Sequence, residues 1–155
     1  MKKIDFKKLF FYIFITILIG TIPSVFVFGN MSSYELLNKP ALSPPGLVFP
    51  IAWTILYILM GISIYRIMMS DNKRKNDAKL IYFIQLVINA LWTPIFFGFN
   101  EYFLAFLWII MLILLVITMI MIFFKIDKIS SYLNIPYLLW LLFASYLNFG
   151  IFVLN

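Results

Sequence analysis

Histidine and cysteine are both absent from this 155-residue chain. Without cysteine there is no disulfide framework, no iron–sulfur cluster and no thiol nucleophile. Without histidine the chain loses the commonest metal ligand and the usual general base near neutral pH. Charge is scarce as well. Only 12% of residues are charged, against roughly 25% in a globular protein. With 65% hydrophobic and 20% aromatic residues, the chain belongs in a bilayer, as a single domain over 1–155. The net charge of +6 sits beside apolar runs, so it reads as orientation in the membrane and not as a nucleic-acid surface.

The start, "MKKIDFKKLFFYIFITILIGTIPSVFVFG", has the basic head and apolar run of a signal peptide. Its apolar stretch from Leu9 to Phe28 covers about 20 residues, longer than the 7–15 of a signal core, and no A-x-A-type site follows. It reads as a retained first span. A helix needs ~20 apolar residues to cross ~30 Å of hydrocarbon. Five windows qualify: 8–28, 46–69, 79–98, 102–124 and 133–154. The expected fold is an all-α integral membrane protein, a bundle of five transmembrane helices. Three connections are short, which predicts antiparallel neighbours. The first, 29–45, is long enough to serve a function of its own.

Five spans put the termini on opposite sides. Eleven of the 12 basic residues fall on the N-terminal side, and Lys39 alone falls on the other. That asymmetry places the N-terminus in the cytoplasm of a bacterial cell membrane and the C-terminus outside. All six acids, Asp5, Glu35, Asp71, Asp77, Glu101 and Asp127, lie at span ends or in loops. Pumps and ion-coupled carriers keep a charge inside the membrane, and inverted-repeat transporters show two matching halves. Neither feature is present, which leaves passive movement of an apolar ligand as the only transport reading.

Polar and aromatic residues inside the spans form stripes. Phe49, Trp53 and Tyr57 are four apart on the second span, so they share a face. Gln85, Asn89, Trp92 and Phe96 do the same on the third, and Trp140, Ala144 and Asn148 on the fifth. Gln85, Ser63 and Ser145 read as helix-to-helix hydrogen bonding. Trp108 fits an interfacial belt or lipid-facing packing. Trp140 lies deeper, where its indole N–H needs a buried partner. Ligand clefts between helices are mostly apolar with a few placed polar groups. Spacing alone leaves a pocket wall and plain packing as equal alternatives.

At these same stretches the chain resembles the tryptophan-rich sensory protein family, also called the translocator protein or peripheral benzodiazepine receptor family. The segment "YELLNKPALSPPGLVFPIAWTILYILMG" is similar to the family's first loop and second helix, with Lys39-Pro40, Pro44-Pro45, Phe49, Trp53 and Tyr57 in register. "NALWTPIFF" resembles the third-helix motif at Asn89, Trp92, Phe96 and Phe97. "IPYLLWLLFASYLN" resembles the fifth-helix motif at Pro136, Tyr137, Trp140, Phe143, Ala144 and Asn148. The resemblance runs along nearly the whole chain. It implies a five-helix bundle, commonly a homodimer, whose hydrophobic pocket is closed by the first loop. Family members bind porphyrins such as protoporphyrin IX, and some bind sterols or benzodiazepine-type ligands. Some bacterial members are linked to light-dependent porphyrin breakdown and stress regulation.

By motif position the resemblance assigns ligand contact to Trp53, Tyr57, Asn89, Trp92, Phe96, Trp140, Ala144 and Asn148, and a lid role to Tyr34, Pro44 and Pro45. It implies no catalytic residue, no metal and no required cofactor, with a porphyrin or other tetrapyrrole as ligand, the lipid bilayer as partner and no nucleic acid. Haem iron would lack an axial His or Cys, which favours a metal-free porphyrin. Where the family usually carries three lid tryptophans, this chain has Ser33, Leu42 and Leu47. The animal sterol-recognition segment lies beyond the fifth helix and has no counterpart up to Asn155, so a sterol role is not expected. At the second span, Ser43 is the expected N-cap, Pro44 and Pro45 the expected first turn, and Pro50 an expected kink.

Overall fold

The computed structural model describes residues 4–27, 29 and 34–155. Lys2, Lys3, Phe28, Ser33 and the loop residues 30–32 lie outside the described residues. Helix α1 (Phe6–Phe26) starts where the Asp5 carboxylate accepts the Lys8 N–H at 3.2 Å. That bond satisfies a free first-turn donor and holds the Asp5 carboxyl below its ordinary range. Then follow α2 (Val48–Met69), α3 (Lys75–Thr93), α4 (Tyr102–Phe124), a one-turn α5 (Lys128–Tyr132) and α6 (Ile135–Leu154). With the turn that continues α3 and with α5 joined to α6, five helical stretches of 21 to 27 residues are long and apolar enough to cross a membrane. At ~1.5 Å per residue even the shortest reaches ~30 Å.

The boundaries differ from the sequence expectation in three places. First, α2 begins at Val48, and no side chain caps it. Ser43 is no N-cap, because its hydroxyl donates to the Pro40 carbonyl at 2.8 Å in a turn of the preceding loop. Pro44 and Pro45 stand outside the helix, and the Pro45 carbonyl accepts the Val48 N–H at 2.9 Å. Pro50 takes the first-turn place instead. Its missing N–H is one of the four that have no intrahelical partner, so it breaks no helical bond there. Second, α3 begins at Lys75 and not at 79, with Asp77 in the first turn, where the positive end of the helix dipole favours a carboxylate. Third, the connection before the last span folds into α5, capped by Asp127, whose carboxylate accepts the Ser130 N–H at 3.0 Å.

Pro94 ends α3 in a π-helical turn, Pro94–Gly98. Proline cannot donate into the ladder, and the chain closes on wider bonds, Phe99 N–H to the Pro94 carbonyl at 2.9 Å. Asn100, with φ at 56°, turns the chain into α4.

Helix α1 packs on α2 and α3, and α4 packs on α3 and α6. Gly61 lets α1 approach α2 closely, since a Cβ there would lie 2.6 Å from the Ile13 Cα. The core between them is built on Met60, Ile64, Leu86, Leu112, Val116 and Met119, all fully buried. By contrast, α2 and α6 meet through large aromatic side chains. At one end Arg66 on α2 holds Asp127 in a two-pronged ion pair at 2.7 and 3.0 Å. The described basic residues other than Lys39 gather at that end. At the opposite end the first loop is strapped to α6. Asn38 and Asn155 exchange bonds of 3.0 Å, Tyr146 donates to the Ala41 carbonyl at 2.7 Å, and Pro40 seats on Gly150.

Candidate functional site: an aromatic ring between α2, α3 and α6

The stripe on α2 turns inward at Trp53 and Tyr57. Their rings stack at 5.4 Å with an angle of 28°, as a spacing of four allows. From α6, Trp140 meets Trp53 edge-on at 6.4 Å and Phe49 at 6.0 Å. Tyr34, in a single turn of 3₁₀ helix in the first loop, then bridges Phe49 at 6.0 Å and Phe96 at 6.3 Å. Phe96 stacks on Trp92 at 5.0 Å. The wider π-helical turn lets Phe96 and Phe97 crowd the same place, 4.8 Å apart. Asn89, three residues before Trp92 on α3, donates its amide to the Tyr57 hydroxyl at 3.2 Å. Contacts thus join Trp92, Phe96, Tyr34, Phe49, Trp140, Trp53, Tyr57 and Asn89 in series, and one turn of α3 between Asn89 and Trp92 completes the ring. Edge-to-face and offset contacts of this kind add ~0.5–1.5 kcal/mol per pair beyond area burial.

The polar atoms of the ring are unequally satisfied. Tyr57 also donates to the Gly20 carbonyl at 3.2 Å. Trp92 donates its indole N–H to Asn148 Oδ1 at 3.0 Å, and Asn148 Nδ2 donates to the Tyr102 carbonyl at 2.8 Å. Trp140 Nε1 is buried and has no partner. Gln85, one turn before Asn89, accepts from Tyr137 at 3.0 Å, and its buried Nε2 is likewise unpaired. Buried donors without partners are rare, and each costs ~1–3 kcal/mol.

The structure thus brings most of the expected residues together. Trp53, Tyr57, Asn89 and Trp140 share one side of the ring, Trp92 and Phe96 the other. Asn148 stands behind Trp92 as its anchor. Ala144 is half-buried on α6, one turn past Trp140, and packs on the core. Tyr34 lies in the ring itself, with Lys39 Nζ 4.6 Å over its face. Pro44 and Pro45 lie between the strapped segment and α2. Leu42 and Leu47, where the family usually has tryptophan, are exposed.

Trp108, expected at an interfacial belt or in lipid-facing packing, is half-buried and its indole donates to the Ile88 carbonyl of α3 at 2.7 Å, which satisfies its N–H inside an apolar bundle. Ser145 joins no second helix and back-bonds to the Leu142 carbonyl at 2.7 Å. Ser63 and Gln85 do join helices, Ser63 by donating to the Ser130 carbonyl at 2.8 Å. Sequence reasoning missed Gly20, whose only signal is its small size, and it named Tyr137 in the fifth-helix motif without a ligand role, though that ring meets Trp53 at 6.1 Å.

A shallow groove of about 420 Å3 opens from this site toward the outside of the bundle, between α2 and α6. Its walls are Ala52, Ile55, Leu56, Pro136, Leu139, Trp140 and Phe143.

A five-helix apolar bundle with an aromatic ring between three of its helices defines a multi-pass integral membrane protein. Comparison with known sequences sharpens that class. Residues 12–154 match the TspO/MBR family, and the chain belongs to it. It is 35% identical over 131 residues to Protein CrtK of Rhodobacter capsulatus, covering 83% of this chain and 82% of that one. It is 37% identical over 151 residues to the tryptophan-rich protein TspO of Archaeoglobus fulgidus, covering 96% and 97%. Similarity extends to the translocator protein of Ovis aries, 30% identical over 119 residues, covering 75% and 70%.

Proposed function

We propose that this protein is a receptor-like membrane binder of porphyrins such as protoporphyrin IX, held at the ring of Trp53, Tyr57, Asn89, Trp92, Phe96 and Trp140. The observation that carries the reading is the buried, unpartnered Nε1 of Trp140 in the middle of an aromatic wall. An acceptor on a bound ligand would remove that penalty, whereas packing alone leaves it in place. A flat macrocycle lies against the indoles of Trp53, Trp92 and Trp140, and the second amide hydrogen of Asn89 meets a polar edge. Propionates reach toward Lys39, which lies over Tyr34 and is, among the described residues, the one basic side chain at that end. Tyr34, Pro44 and Pro45 belong to the lid that closes over it. Light-dependent breakdown, where it occurs, is a reaction of the excited porphyrin with a stacked indole, without an acid–base site. In this reading the N-terminus faces the cytoplasm of a bacterial cell membrane, which the positive-inside asymmetry supports, and the protein is a homodimer, which the family resemblance supports. Titrating protoporphyrin IX into the purified protein tests the binding: saturable tryptophan quenching supports it, and purely linear quenching refutes it.

The groove between α2 and α6 favours a second reading, passive transport of porphyrins or lipids, because it offers Trp140 a lateral path to the hydrocarbon. Proteoliposome flux above that of protein-free vesicles is the outcome that reading requires.

A further inference from the structure

At the basic end of the bundle, a second groove of about 510 Å3 runs between the last turns of α4 and the α5–α6 junction. Its volume falls in the ~300–1,000 Å3 range of small-molecule clefts. Met121, Ile122, Phe124 and Ile135 make its walls apolar, and Lys125 and Tyr132 stand among them. The groove lies where the chain passes from α5 into α6, a junction that Asn134 anchors by donating to Ser63 Oγ at 2.7 Å. Its two other hydroxyls are spent: Ser131 donates to the Ile120 carbonyl at 3.0 Å and Thr118 to the Leu114 carbonyl at 2.8 Å. That leaves cationic and apolar character together.

The cations are unusual for lacking counter-charges. Lys128 Nζ lies 5.4 Å over the Phe124 ring, the same ring that Tyr132 meets edge-on at 6.1 Å. Asp127 sits in sequence between the two lysines, but its carboxylate is held by Arg66, Ser130 Oγ and the Ser130 N–H. Among the described residues, neither Lys125 nor Lys128 has a carboxylate within ion-pair distance. Lys125 in the groove lining and Lys128 over Phe124 at its edge thus stand without a carboxylate beside an apolar groove whose rim, Met121, Phe124, Tyr132 and Ile135, is exposed. Lysines at span ends lie at the depth of lipid phosphates, and basic pockets between membrane helices suit anionic headgroups.

The geometry points to a site for an anionic glycerophospholipid of the leaflet at the basic end, with an acyl chain in the groove and its phosphate between Lys125 and Lys128. A zwitterionic lipid fills the same groove but sets its own ammonium against the two lysines, so charge selects between them. The apolar walls add what a free phosphate could not use.

The test uses the full chain reconstituted in vesicles of equimolar phosphatidylcholine and phosphatidylglycerol, then released for native mass spectrometry. Phosphatidylglycerol should be retained over phosphatidylcholine, and Lys125→Gln and Lys128→Gln should each lower that preference about fivefold. Lys79→Gln, an exposed lysine of the same end but outside the groove, should leave it nearly unchanged. Ile135→Trp, which fills the groove, should reduce retention of both lipids. Equal retention of the two lipids by the unmodified protein would overturn the site, as would a loss with Lys79→Gln as large as with the groove lysines.

Discussion

The ring of Tyr57 occupies the space that a side chain at Gly20 would need, while its hydroxyl donates to the Gly20 carbonyl at 3.2 Å. This contact ties α1 to the aromatic ring, because the same hydroxyl receives the Asn89 amide. Gly20→Ala should therefore displace Tyr57 and cost ~1–3 kcal/mol of stability. Tyr57→Phe keeps the packing but strands the Asn89 amide and the Gly20 carbonyl, at a similar ~1–3 kcal/mol. Thermal unfolding in detergent reads both. A Gly20→Ala protein as stable as the parent would mean that the contact is slack.

Trp92 and Trp140 look equivalent in the sequence, each an indole one turn from a small or polar residue. The structure separates them by their N–H groups, bonded in Trp92 and unpaired in Trp140. Without ligand, Trp92→Phe leaves buried Asn148 short of a donor and should cost ~1–3 kcal/mol. Trp140→Phe removes ring volume but also an unpaired donor, so it should cost less. The reverse order in melting temperature would contradict this assignment.

The first loop owes its place to α6. Asn155 exchanges two bonds of 3.0 Å with Asn38, and Pro40 fits against Gly150, where a Cβ would lie 2.6 Å away. Asn155→Ala should loosen this strap, and amide exchange at Asn38 should speed up about tenfold, the ratio that corresponds to ~1.4 kcal/mol. Gly150→Val should do the same by pushing Pro40 away. Unchanged exchange in both variants would show that the loop is held elsewhere.

The spans and most of the residues of the ring were legible in the sequence for simple reasons. Apolar runs of twenty residues have one reading in water-free surroundings, and a spacing of four puts Trp53 and Tyr57 on one face whatever the fold. Proline was harder. Pro44, Pro45 and Pro50 each suit a first helical turn, and only the turn that Ser43 makes with Pro40 decides among them. The bond of Trp108 and the lack of one at Trp140 were illegible because a hydrogen bond across helices depends on rotation and depth. No spacing encodes either. Gly20 was missed for the same reason.

The ion pair between Arg66 and Asp127 carries a pH signature. The Arg66 guanidinium, helped by Ser130, holds the Asp127 carboxyl down at about 2. A carboxyl whose folded value lies below its ordinary ~3.9 stabilises the fold fully above that ordinary value. The contribution fades as pH falls from about 4 through about 2. Melting temperature should drop across that window in the parent protein, and the Asp127-dependent part of the drop should vanish in Asp127→Asn. Identical acid profiles for the two proteins would remove Asp127 from the account.

Porphyrin titration of the unmodified protein beside Trp140→Phe and Trp108→Phe tests the central claim most directly. Trp108 serves as the control, since its indole is engaged with the Ile88 carbonyl and takes no part in the ring. Saturable quenching by protoporphyrin IX is predicted, with affinity at least tenfold weaker in Trp140→Phe, as expected for loss of one buried hydrogen bond and a stacking face. Trp108→Phe should bind as the parent does. Equal affinity in all three proteins, or the absence of saturation in the parent, would contradict the claim that the aromatic ring is a porphyrin site.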